Sequence, residues 1–190
     1  MKTHEIVSLL GAALASLSTV ACGPSLATMH DRAATGQVQE GAPLHTRQSV
    51  TIAAPRAEVY AVLTDVAAWP RWQPNVSKVT PPEPFTPGAR FTWTNGSSAI
   101  TSQLAAVTPG ELVAWTGSVS VAKAVHVWRF SSPTPDTTLV EVEETMDGFL
   151  LTWFYGQKDL EADVGRSLAQ LKTTCEARPR ATLAGSVPAP

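Results

Sequence analysis

The sequence predicts an α+β domain in which six or seven short antiparallel strands are followed by one long helix that packs on them. Three observations support this. From Phe149 to Ala177 there is no Pro, and Trp153, Leu160, Val164, Leu168, Leu171 and Cys175 recur at steps of seven, four, four, three and four. That recurrence is a single apolar stripe on a helix. Between Asn75 and Met146 short alternating segments follow one another with Pro, Gly and Asn at the breaks. A helix with one apolar face needs one large apolar partner, and the strands are the only candidate. This decides against a two-layer sandwich.

The elements follow in chain order. Lys2 and an uncharged run of 16 residues, Ile6 to Ala21, precede Cys22. So short a run, rich in Ala and Ser, reads as a signal peptide over residues 1–21 rather than a membrane span. Ser18-Thr19-Val20-Ala21-Cys22 resembles a bacterial lipobox, with Thr19 where Leu is usual and Glu5 within the leader. The resemblance implies lipidation of Cys22, a membrane anchor, and a periplasm-facing outer-membrane lipoprotein of the cell envelope. Plain cleavage near Ala21 to Gly23, giving a secreted protein, is the alternative. With Cys22 acylated, Cys175 has no partner and reads as a small core residue. Residues 22–44 carry little apolar periodicity and read as a flexible tether. Residues 179–190, rich in Ala and Pro, read as a disordered tail, which leaves 45–178 as the domain.

Val50, Ile52 and Ala54 alternate with Ser49, Thr51 and Ala53 as a half-buried strand should. Pro55 fixes φ for a helical first turn, and Val59, Tyr60, Leu63 and Val66 follow at helical spacing. Trp69-Pro70-Arg71-Trp72 closes this unit. Strands are then expected over Asn75–Val79, Ala89–Thr94, Ile100–Val107, Glu111–Val119, Val121–Phe130 and Thr137–Met146, with Asn95-Gly96 as a hairpin turn and Ser131–Asp136 as a loop.

The order from Ser49 to Val79 (strand, Pro-started helix, Trp-rich turn) resembles the N-terminal signature of the START/SRPBCC superfamily. These are the helix-grip proteins that include polyketide cyclase-like and pollen-allergen-like members. The likeness covers about residues 46–177. It implies a curved sheet wrapped around the long helix, two short helices after the first strand, and a hollow for a small hydrophobic ligand.

Strand alternation assigns the faces of that hollow. Arg129, Glu141 and Glu143 belong outside, so His126, Trp128 and Phe130 point inward, as do Val140, Val142 and Glu144. By the same parity Phe91, Trp93, Val113 and Trp115 line the interior. Gln103 and, from the long helix, Phe154 complete the expected ligand-binding set. Two ionisable groups land inside, His126 and Glu144. A carboxylate in an apolar hollow must be paired, hydrogen-bonded or protonated, and the imidazole is the available partner.

Other chemistry is excluded by residue type. A net charge of −2 with no run of Lys or Arg does not suit nucleic acid. His4, His30 and His45 fall in the leader or tether, so His126 is the only histidine expected in the fold, too few for a metal centre. No nucleophile elbow, phosphate loop or dinucleotide fingerprint occurs, and no cofactor is implied. Binding by a monomeric carrier or sensor is the favoured reading. Two alternatives stand beside it: a cyclase-, dehydratase- or hydrolase-type enzyme using His126 and Glu144, and an envelope interaction module with Trp69 and Trp72 exposed as anchors.

Overall fold

A computed structural model describes residues 23–148 and 150–178. The leader, Cys22, Phe149 and the tail 179–190 lie outside the described residues. Helix α1 (Leu26–Ala34) precedes strand β1 (Leu44–Ile52), helix α2 (Arg56–Thr64) and the single turn α3 (Trp69–Trp72). Strands β2 (Val76–Thr80), β3 (Arg90–Asn95), β4 (Ser98–Thr108), β5 (Leu112–Ser118), β6 (Lys123–Thr134) and β7 (Thr137–Asp147) follow, and helix α4 (Gln157–Glu176) ends the fold. The seven strands form one antiparallel sheet in the order β1-β7-β6-β5-β4-β3-β2. Neighbours in sequence are neighbours in space except β1, which returns to close the edge beside β7.

Helix α4 crosses the sheet with Leu160, Val164, Leu168, Leu171 and Cys175 buried, the stripe expected from their spacing. Its approach to β1 is close at Gly165, where a Cβ would sit 3.1 Å from the Gln48 side-chain oxygen. That glycine trades helix propensity for proximity. Gln48 in turn donates to the Glu161 carbonyl at 2.8 Å, and Lys172 donates to the Thr51 carbonyl at 2.7 Å, so the edge strand is stitched to the helix. Pro55 sits at the N-cap of α2 with ψ 142°, one position earlier than its spacing suggested.

Three local expectations are corrected. The long helix begins at Gln157, not Phe149, and Trp153 belongs to a short 3-10 turn, Leu151–Trp153, with its side chain 82% exposed. Gly156 breaks the run, and the Asp159 carboxylate then accepts from its N–H at 2.8 Å to open α4. Residues 131–134 continue β6 rather than forming a loop, because Thr134 and Thr137 pair directly and their hydroxyls meet at 2.7 Å. The β3–β4 hairpin turns on Gly96-Ser97, with Asn95 paired to Ser98 and φ +58° at Gly96, one residue later than the Asn-Gly signal suggests.

The tether is corrected too. Residues 26–34 form α1, which lies on the outer face of the sheet opposite α4. Met29 and Ala33 are fully buried there against Ala105, Ala106, Ala114, Val125 and Val127. Small side chains on β4 and β5 let the helix approach. Ser25 caps its N-terminus by accepting from the Thr28 N–H at 3.1 Å. Gly36, at φ +72°, ends it: the Gly36 N–H bonds the Ala33 carbonyl and the Gln37 N–H bonds the Arg32 carbonyl, a Schellman closure. Arg129 donates to the Gly36 carbonyl and fixes this end to β6. His30 and His45 therefore belong to the fold, the first bonded to the Thr116 hydroxyl at 3.2 Å and the second to Glu143 at 3.1 Å on the outer face.

Candidate functional site

The concave face is built from rows of residues at matching height on successive strands. One row runs Thr46, Glu144, His126, Trp115 and Leu104 across β1, β7, β6, β5 and β4. Directly beside it runs Val142, Trp128 and Val113. The pleat thus places His126 and Glu144 side by side, and His126 Nδ1 meets Glu144 Oε2 at 3.0 Å with both side chains largely buried. The His126 ring stacks on Trp115 at 4.9 Å and 19°, and Trp115 stacks on Trp128 at 6.1 Å and 15°. Gly117 leaves room next to the imidazole, for a Cβ there would lie 3.5 Å from Ser102 Oγ and 3.9 Å from His126 Nε2.

Around this row the aromatics interlock. Trp69 meets Trp93 edge-on at 5.4 Å and Phe91 at 5.9 Å, and its indole N–H donates to the Leu63 carbonyl at 2.8 Å. Trp93 donates to the Ser102 hydroxyl at 3.1 Å. Phe130 packs against Tyr60 at 5.4 Å. The indole N–H groups of Trp115 and Trp128 are buried and find no acceptor among the described residues, and the same holds for the half-buried Trp72.

Tyr155, from the connection between β7 and α4, packs against the core and donates to Asp163 at 3.0 Å. Burial pushes its hydroxyl far above the ordinary tyrosine range, and the Asp163 charge and hydrogen bond, with Glu144 and Asp159 beyond, push the same way. Burial alone raises Tyr60. The thiol of Cys175 is pushed up to about 11, chiefly by burial, which makes it inert packing rather than a nucleophile.

Of the residues expected on this face, Phe91, Val113, Trp115, Trp128, Phe130 and Val142 are buried there, and Trp93, His126 and Glu144 border them. Gln103 is not among them. Its parity matches Arg90 and Thr116 on the outer face, and its amide donates to the Gly88 carbonyl at 3.0 Å. Phe154 is 64% exposed, because the chain has not yet entered α4 at that point. Trp69 is buried, which removes it as an exposed anchor. Sequence reasoning missed Thr46, Ser102 and Tyr155; parity from Glu144 and Trp115 would have found the first two.

The hollow that the family resemblance implies is nearly filled where Trp69, Phe91 and Trp115 meet. The cavity between Trp69, Phe91, Leu104, Val113 and Trp115 measures about 10 Å3, the room of one water at most. The inward indoles of Trp69, Trp93, Trp115 and Trp128 explain this, since they occupy the volume that smaller side chains would leave. A separate open groove of about 530 Å3 lies between β1 and the start of α4, lined by Thr46, Arg47, Gln48, Lys158, Glu161 and Ala162.

A seven-stranded sheet gripping a C-terminal helix, with two short helices after β1, defines the helix-grip class of START-like proteins. The chain belongs to the polyketide cyclase / dehydrase and lipid transport family, whose model matches residues 43–176. No curated protein sequence matches it significantly. Solved structures share the fold at low identity. A hypothetical protein from Helicobacter pylori is 12% identical with a TM-score of 0.63, covering 72% of this chain and 90% of its own. The ZhuI aromatase/cyclase from Streptomyces sp. R1128 is 19% identical at 0.60, covering 72% and 96%. A START superfamily protein from Mycobacterium smegmatis is 13% identical at 0.59, covering 70% and 97%.

Proposed function

We propose that this protein is an exported, Cys22-anchored carrier or sensor that holds a small, flat, apolar molecule bearing a hydrogen-bond acceptor on its concave face. One observation carries the reading: the buried indole N–H groups of Trp115 and Trp128 have no acceptor, and they lie beside the His126–Glu144 pair. An unmet buried donor costs about 1–3 kcal/mol, and a carbonyl or ether oxygen would relieve it. The stacked planes of His126, Trp115 and Trp128 suit a planar guest. Holding such a guest requires outward movement of residues 81–89, the connection whose Phe85 lines the small cavity.

The test uses the full chain with 1-acetonaphthone as probe and naphthalene, which lacks an acceptor, as control. The ketone should bind about tenfold more tightly, the equivalent of one hydrogen bond of about 1.4 kcal/mol. That ratio should vanish when Trp115 and Trp128 are both replaced by Phe. Equal affinity for both compounds, or none for either by native mass spectrometry, defeats the reading.

Acid–base catalysis on a carbonyl substrate is the second reading, favoured by the 3.0 Å His126–Glu144 contact and the space over Gly117 beside His126 Nε2. Glu144→Gln should then abolish turnover while sparing the ketone's affinity and lowering the melting temperature less than Glu144→Leu does.

A further inference from the structure

Among the described residues, four of the five exposed large apolar side chains lie in two adjoining connections, the fifth being Leu26 at the start of α1. Val121 is 46% exposed, Leu150 40%, Trp153 82% and Phe154 64%. Val121 sits in the β5–β6 turn and the others in the β7–α4 connection. The two segments touch, since a Cβ on Gly148 would collide with the Val121 carbonyl and lie 2.9 Å from Ala122 Cα. The outward display is built in. Leu151 is buried and Tyr155 packs on the core, so the connection is pinned on either side of Trp153 and Phe154. Leu150 adopts φ +62°, a left-handed conformation that a leucine rarely takes, and the Trp153 N–H bonds its carbonyl at 3.0 Å.

The N-terminal end of the described chain arrives at the same place. Gly23 lies against the Asp147 carboxylate, one residue from Gly148, and Lys123 donates to the Pro24 carbonyl at 2.7 Å. Cys22 is the residue covalently before Gly23, and the 16 uncharged residues Ile6–Ala21 precede it. Whatever holds Cys22 at a bilayer therefore holds this tip at the same bilayer.

We infer that Val121, Leu150, Trp153 and Phe154 form a membrane-docking tip that seats in the interfacial layer of the phospholipid surface to which the N-terminus is anchored. The inference rests on the anchored reading of Cys22. Tryptophan suits this layer because its indole is apolar in body and polar at the N–H. No described helix is long and apolar enough to cross a membrane, so the contact is peripheral.

The test uses the full chain reconstituted in phosphatidylethanolamine–phosphatidylglycerol vesicles, with and without brominated acyl chains. Trp153 is the one strongly exposed tryptophan of the six, so wild-type emission minus that of Trp153→Phe isolates it. The expected result is co-flotation of both proteins with the vesicles, unchanged melting of the variant, and loss of more than half of the Trp153 emission to bromolipid. Co-flotation with Trp153 quenched by aqueous iodide and not by bromolipid overturns the docking tip and leaves the anchor standing. Failure of the wild-type chain to float overturns both. Shielding from both quenchers together with a dimer mass assigns the patch to a second copy of the chain and overturns the membrane reading.

Discussion

Replacing Met29 by Ala asks whether α1 is part of the fold or a strap lying loosely on it. Met29 is fully buried on the outer face, over a floor of Ala105, Ala106, Ala114, Val125 and Val127. Truncating a buried Met to Ala removes its transfer energy and leaves a gap, together about 2–5 kcal/mol. Backbone-bound alanines in a paired sheet cannot move inward to fill that gap, yet α1 can settle slightly, so the expected loss is about 2–3 kcal/mol. For a domain of this size each kcal/mol lowers Tm by about 2–4 °C, so a drop of about 4–12 °C should follow. Thermal unfolding followed by circular dichroism reads it. Leu26→Ala, at a position 37% exposed on the same helix, is the control and should shift Tm little. A Met29→Ala protein that melts with wild type would show that α1 is undocked, and the argument from burial would be wrong.

Other outcomes follow from single contacts. Gly36→Ala should cost about 1–2 kcal/mol in urea unfolding, since Gly36 has φ +72° and a Cβ would press on Leu112 Cδ1 at 3.3 Å. An unchanged midpoint would contradict the Schellman closure of α1. Glu144→Leu should destabilise by about 1–3 kcal/mol by leaving the His126 Nδ1 unpartnered, and Glu144→Gln by less because an acceptor remains. Equal losses would show that charge, not the hydrogen bond, matters. The folded Cys175 thiol keeps its proton up to about 11 whereas the reference value is 9.0. Its contribution is therefore fully present below about pH 9 and lost as pH rises to about 11, so the stability gap between wild type and Cys175→Ala should narrow across that window. A gap that widens there would reverse the sign of the assignment.

Much of the architecture was readable before folding because it depends on period alone. The α4 stripe from Leu160 to Cys175 repeats at 3.6 residues and burial follows it, whereas the inward set His126, Trp128 and Phe130 follows from strand parity even though β6 is also buried on its other face, where Val125 and Val127 lie under α1. Residues whose environment depends on non-local neighbours were misplaced. Gln103 looked inward only by default, and Trp153 fitted the helical stripe until Gly156 ended it. The α1 segment was overlooked because its buried face consists of one Met and one Ala, too little hydrophobicity to register as a stripe. The caps were the available signal: Ser25 before it and Gly36 after it.

The chain's own order of residues determined the gripping helix and the inward positions of His126 and Glu144, which follow from local periodicity, while the family was legible as a resemblance in the order from Ser49 to Val79. Only the tertiary structure decided that the cavity beneath Trp69 and Trp115 measures about 10 Å3, that the indole donors of Trp115 and Trp128 go unmet, and that four apolar side chains gather where Gly23 arrives. The physical reason is that period tells which way a side chain points, whereas volume, satisfied hydrogen bonds and surface patches depend on distances between segments far apart in sequence.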